Sequence, residues 1–111
     1  MNISKEDLIR INKGFGGNLH NEFSLDFALE QQKSNKFGEY TKLAYLLRAI
    51  LVDHAFSDGN KKTAMFVAYA FANELGKNVD DELLKHHILS IASKSIIDIK
   101  IIMERMKNAI K

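Results

Sequence analysis

The chain has 111 residues, 46% hydrophobic and 27% charged, which sets it as one modest globular domain over 1–111. Its 16 basic and 14 acidic side chains are spread along the sequence, so the net charge of +2 offers no concentrated basic face for nucleic acid. No apolar run is long enough to span a membrane, there is no cysteine, and Lys5, Glu6, Asp7 and Arg10 interrupt any secretory leader, so a soluble cytoplasmic protein without disulfides is expected.

There is no proline, and the six glycines fall in a few clusters, a pattern of uninterrupted helices joined by short turns. Ser4 and Asp7 have capping-box spacing ahead of Leu8, Ile9 and Ile11, and Gly14, Gly16 and Gly17 stop that first helix. A second helix is expected from Ser24, with Asp26 in its first turn, to about Gln32. Residues Lys33 to Glu39 read as a polar loop or a short hairpin. From Tyr40, the positions Leu43, Ala44, Leu46, Leu47, Ala49, Ile50 and Leu51 cover most of a helix circumference, the mark of a buried central helix. A second apolar helix runs from about Lys61 to Leu75, with Gly76 as its stop. Asp80 and Asp81 open a helix carrying Leu83, Leu84, Ile88 and Leu89. Ser95 and Asp98 repeat the capping-box spacing before Ile99, Ile102, Met103 and Met106. The isoleucine-rich stretch 96–102 could form a strand, but the apolar spacing continues to Ile110 and favours helix. The fold class is therefore all-α, a bundle of about six helices.

Between the two most apolar helices lie His54, Asp58, Gly59, Asn60, Lys61 and Lys62 within nine positions. A plain turn needs only a cap and a glycine. Gly59 and Asn60 precede a helix whose first free N–H groups and positive dipole end would attract an anion. Gly59 permits positive φ and close approach of a phosphate, and Lys61 and Lys62 add positive charge where a transferring phosphoryl group gathers negative charge. Asp58 is a hard oxygen ligand suited to Mg²⁺, and His54, the loop's one imidazole, is the natural general base for a hydroxyl. Phe56 is expected to insert into the core and fix the loop. Each residue alone has a plainer reading: a core or capping histidine, an N-cap at Asp58, a solvated first turn at Lys61 and Lys62. Two lysines where the helix dipole prefers acids nevertheless make more sense beside an anion.

The segment from His54 to Ala64, HAFSDGNKKTA, resembles the signature of the Fic/Doc family, H-x-F-x-[D/E]-G-N followed by Gly or Lys and then Arg. It matches at His54, Phe56, Asp58, Gly59, Asn60 and Lys61. The resemblance implies a compact Fic-like helical bundle with His54 as base, Asp58 as Mg²⁺ ligand, and Gly59, Asn60, Lys61 and Lys62 as the nucleotide phosphate site. It further implies an ATP-using enzyme that modifies a hydroxyl of a target protein, by AMP transfer in most branches and phosphoryl transfer in the Doc branch. Here Lys62 stands where the family has Arg, losing the bidentate fork, and Met65 stands where AMP-transferring members carry a second Arg. Gly59 occupies a position where the Doc branch often has Ala. The resemblance leans to a Doc-like kinase of a Ser or Thr on a cytosolic target such as a translation factor, with AMP transfer and a non-catalytic nucleotide- or partner-binding relative as alternatives. A plain helical interaction module, with the motif a coincidence, is a further one. The restraining motif [S/T]-x-x-x-E-[G/N] of many Fic proteins has no match, so an antitoxin-like partner is expected to restrain the enzyme. By position, the Lys33–Glu39 loop resembles the family's flap, though an ordinary surface loop is the preferred reading. Gly14-Phe15-Gly16-Gly17 reads as a helix stop rather than a nucleotide loop, His86 and His87 are expected on the surface, and His20 has no evident partner.

Overall fold

A computed structural model describes residues 1–111 as six helices: α1 (Lys5–Gly14), α2 (Glu22–Gln31), α3 (Glu39–Leu51), α4 (Asn60–Glu74), α5 (Asp81–Ser93) and α6 (Ile99–Ala109). The apolar pattern explains the arrangement. Leu43, Ala44, Leu46, Leu47, Ala49, Ile50 and Leu51 are all buried, so α3 can be covered on every side, and it packs against α2, α4, α5 and α6. Along α4, Ala64, Ala68 and Ala72 recur every fourth residue on a buried face that also presents Val67 and Phe71. No helix is long and apolar enough to cross a membrane.

The ends of the chain are fastened to this core. The Tyr40 hydroxyl at the start of α3 donates to the Ile110 carbonyl (2.7 Å), and its ring meets Phe71 edge to face at 5.1 Å. Burial pushes the Tyr40 phenol above its ordinary pKa. The α4–α5 linker pairs with the C-terminal segment through Asp80 N–H to Ala109 C=O and Lys111 N–H to Asn78 C=O, each 2.8 Å.

Four sequence expectations change. Residues 33–38 contain turns and bends but no strand, so the loop is not a hairpin; Phe37 folds back onto the Tyr45 ring (5.3 Å), which fastens the loop without backbone pairing. Helix α2 begins earlier than Ser24, because the Asn21 side chain accepts from the Ser24 N–H (3.2 Å) and takes the capping role. Lys5 of α1 reaches Glu22 and Asp26 of α2, tying the two helices together. At α6, Asp98 itself is the N-cap, accepting from Lys100 and Ile101 N–H, whereas Ser95 lies in the connection at φ +49°. His87 is only partly exposed, unlike its exposed neighbour His86. Its two ring nitrogens are enclosed without a hydrogen-bond partner, and burial, then Arg105 and His86, lower its pKa below 6.5.

Candidate active site

The connection from α3 to α4 is built from backbone geometry that few sequences tolerate. After Leu51, the Val52 and Asp53 N–H groups both return to the Arg48 carbonyl, at 2.9 and 3.1 Å. His54 then adopts φ +52°, uncommon for a residue with a side chain and a strain more often kept where function requires it. That reversal leaves the imidazole exposed while Ala55 and Phe56 turn into the core, Phe56 as expected. The Asn60 amide clasps the Phe56 backbone, accepting from its N–H (3.2 Å) and donating to its carbonyl (2.8 Å). The Asn60 side chain thus closes the loop, and its backbone N–H is the group left free for a ligand. Gly59 is left-handed at φ +70°, and a Cβ there would lie 2.8 Å from the Phe15 carbonyl oxygen. Its lack of a side chain serves packing against Phe15 as much as access for a ligand.

A second segment, 12–21, braces this loop, and sequence reasoning missed it. Asn12 is fully buried; its Nδ2 donates to the Asp58 carbonyl (2.8 Å) and the Thr63 hydroxyl (3.1 Å). Gly17 passes so close that a Cβ would collide with the Asp58 carbonyl oxygen and the Asn12 amide. Ser57 N–H donates to the Asn18 carbonyl (2.8 Å), and Asn18 N–H to the Ser57 hydroxyl (3.0 Å). His20 and Asn21 N–H groups both reach the Ala55 carbonyl, and Asn21 Nδ2 donates to the Asp53 carbonyl (3.0 Å). The glycine-rich stretch read as a helix stop is therefore also a strap, and His20 contributes through its backbone. One signal was available: Asn12 lies four residues after Leu8, on the buried face of α1.

Together the two segments shape a cleft of about 480 Å³ that brings His54, Asp58, Gly59, Asn60, Lys61 and Lys62 to one surface. Each motif residue given a catalytic, metal or phosphate role lines it, and Phe56 lies in the core beneath. The start of α4 opens there. Its cap, Gly59, supplies no side-chain acceptor, and the N–H groups of Asn60, Lys61 and Lys62 have no intramolecular partner. Asp58 does not cap the helix; its Oδ1 accepts from the Gly59 N–H (2.7 Å), leaving Oδ2 without a partner. The first turn contains no acid, and neither lysine is ion-paired. Unpaired donors, the dipole and two ammonium groups make this a place where an anion would be favoured.

Asp58 is the lone carboxylate lining the cleft, and no group of three His, Cys, Asp or Glu side chains could by itself enclose a metal ion. That donor set fits Mg²⁺, which is ordinarily held by one or two carboxylates, water and nucleotide phosphates. It does not suit a metal that needs an all-protein cage. The His54 imidazole makes no hydrogen bond within the chain and is free to meet a hydroxyl brought into the cleft.

A comparison with protein-family models matches residues 3–72 to the Fic/DOC family. No curated protein and no solved structure gave a match. The matched stretch runs from the first helix through the strap, α3, the loop and most of α4, so it contains the whole of the cleft except Ala92.

Proposed function

Because the chain belongs to the Fic/DOC family, whose members are transferases acting on proteins, we propose that it is a Doc-like phosphotransferase. It moves the terminal phosphoryl group of ATP to a Ser or Thr hydroxyl of a cytosolic target protein. The observation that carries this reading is the uncapped start of α4 facing His54 and Asp58 across one cleft. His54 accepts the hydroxyl proton as the target oxygen bonds to the γ-phosphorus and the bridging bond to the β-phosphate breaks, with ADP leaving. The N–H groups of Asn60, Lys61 and Lys62, with the two ammonium groups, hold the phosphate oxygens as charge develops. Asp58 would hold Mg²⁺ through its free oxygen, and the ion would neutralise phosphate charge. Lys62 in the arginine position keeps the charge but contacts phosphate as a point rather than a fork.

Met65 favours phosphoryl over AMP transfer, since a thioether cannot replace the second arginine of AMP-transferring relatives. The activity suits the toxin of a toxin–antitoxin pair, restrained by a separate partner. Cytosolic extract incubated with ATP labelled at the γ- or the α-phosphate, beside a His54→Ala variant, tests the assignment. Protein label from γ-labelled ATP alone, reduced by about a hundredfold or more in the variant, is expected. Label from α-labelled ATP would transfer the assignment to AMP transfer. Nucleotide binding with no His54-dependent label would make the chain a non-catalytic relative.

A further inference from the structure

One aromatic residue at the catalytic cleft has no part in the core. Phe15, in the strap, lines the cleft and is 36% exposed. Phe56 and Phe71 are fully buried, whereas Phe15 neither packs against the core cluster nor pairs with another aromatic ring. Of the three apolar residues at the cleft, Leu51 is buried and Ala92 ends in a methyl, so Phe15 is the one able to offer a flat apolar face.

Its backbone is fixed, because the Phe15 and Gly17 N–H groups both return to the Asn12 carbonyl, at 2.8 and 3.2 Å. A Cβ at Gly59 would stand 3.0 Å from the Phe15 Cβ, so the side chain starts beside the cap of α4, next to the N–H groups assigned to phosphate. The cleft, about 480 Å³, lies within the roughly 300–1,000 Å³ of small-molecule sites and has room for more than phosphates. Resting on the nucleotide reading above, we propose that Phe15 is the platform on which the nucleobase stacks, and that the base is held by its face rather than read at its edge. Stacking on an aromatic ring tolerates every base, since each has a π-face. Edge recognition would need free hydrogen-bonding side chains. The Asn60 amide is engaged at both its atoms by the Phe56 backbone, and the Ser57 hydroxyl accepts from the Asn18 N–H. The site therefore takes purine nucleoside triphosphates as a class, ATP and GTP alike. Phe15 is a binding residue without a part in proton transfer.

Calorimetric titration of the whole chain, with Mg²⁺, tests this using ATP, GTP and inorganic tripolyphosphate against wild type, Phe15→Ala and Phe15→Tyr. Wild type should bind ATP and GTP within about threefold of each other, and Phe15→Ala should weaken both by about tenfold while leaving tripolyphosphate unchanged. Phe15→Tyr, which keeps the ring, should stay close to wild type. Phe15→Ala retains the carbonyl and Cβ that border Gly59, so its unfolding midpoint should also stay close to wild type. ATP binding equal in wild type and Phe15→Ala overturns the role of Phe15 while leaving the nucleotide reading intact. Equal weakening of ATP and tripolyphosphate also overturns it, because the side chain would then act by holding the loop. A preference of wild type for one purine by more than about tenfold overturns recognition by the face alone. Failure of wild type to bind any of the three overturns both readings.

Discussion

Helices α1 and α4 begin in opposite ways. At α1 the Ser4 hydroxyl accepts from the Asp7 N–H (3.1 Å) and the Asp7 carboxylate accepts from the Ser4 N–H (3.3 Å), with Glu6 and Asp7 set against the positive dipole end. The Ser4 backbone N–H is the main reason the Asp7 carboxyl lies below its ordinary pKa. At α4 the cap is a glycine, the first turn carries two lysines and no acid, and three N–H groups lack partners. Burial accounts for the difference in what each helix can tolerate. α1 buries only Leu8 and Asn12, whereas α4 buries six residues, Thr63, Ala64, Val67, Ala68, Phe71 and Ala72. A helix anchored along its length can leave its end unsatisfied, and the unsatisfied end is where a ligand can bind.

That contrast can be broken most strongly through the strap. Asn12→Ala removes both bonds that hold the Asp58 carbonyl and Thr63 hydroxyl, so a loss of about 2 kcal/mol in urea unfolding is expected. Transfer activity should fall with it, while Asn18→Ala, whose partners are bound through the backbone, should leave both nearly unchanged. A next, smaller effect separates the two helix starts directly. Ser4→Ala should cost about 1 kcal/mol without touching nucleotide affinity, and Lys61→Glu should add roughly 0.3–1 kcal/mol of stability while sharply weakening ATP binding. Thermal melts paired with ATP titrations read both quantities. If Lys61→Glu bound ATP as wild type does, α4's start would have no part in phosphate binding.

The smallest effect expected is the pH dependence contributed by His87. Its folded pKa is lowered below 6.5, so the unfolded chain takes up a proton first as pH falls. The contribution to stability is therefore complete above pH 6.5 and is lost as pH falls from there to the lower folded pKa. Burial is the main cause, and Arg105 and His86 add to it by disfavouring the imidazolium. Melting temperatures measured across mildly acidic pH should drop more steeply for wild type than for His87→Leu.

Much of this molecule can be read from its residues, and the exceptions have physical causes. The central helices were legible because apolar side chains ring α3 and line α4 at helical spacing. The motif loop was legible because it sets more polar residues between two apolar helices than a plain turn needs. The strap was not, since its contacts join residues as distant as Asn12 and Asp58, 46 positions apart, through backbone carbonyls that carry no residue signature. His87 was misread although Leu84, His87, Ile88 and Ile91 share one face; the absence of a metal-ligand partner outweighed that periodicity. At Ser95 the spacing to Asp98 imitated a capping box, but the positive φ of Ser95 belongs to the turn before the cap.

The close contact between Gly59 and Phe15 has a consequence for any attempt to diversify this enzyme. Alanine, often found at this position in the Doc branch, would here need both a left-handed backbone and displacement of the Phe15 carbonyl from 2.8 Å. Gly17 is bounded in the same way by the Asp58 carbonyl and by Asn12. Positions 12, 15, 17 and 59 thus form one unit of exchange. A library that randomises the motif alone should return glycine at 59, and alanine should emerge there only when the strap is varied with it.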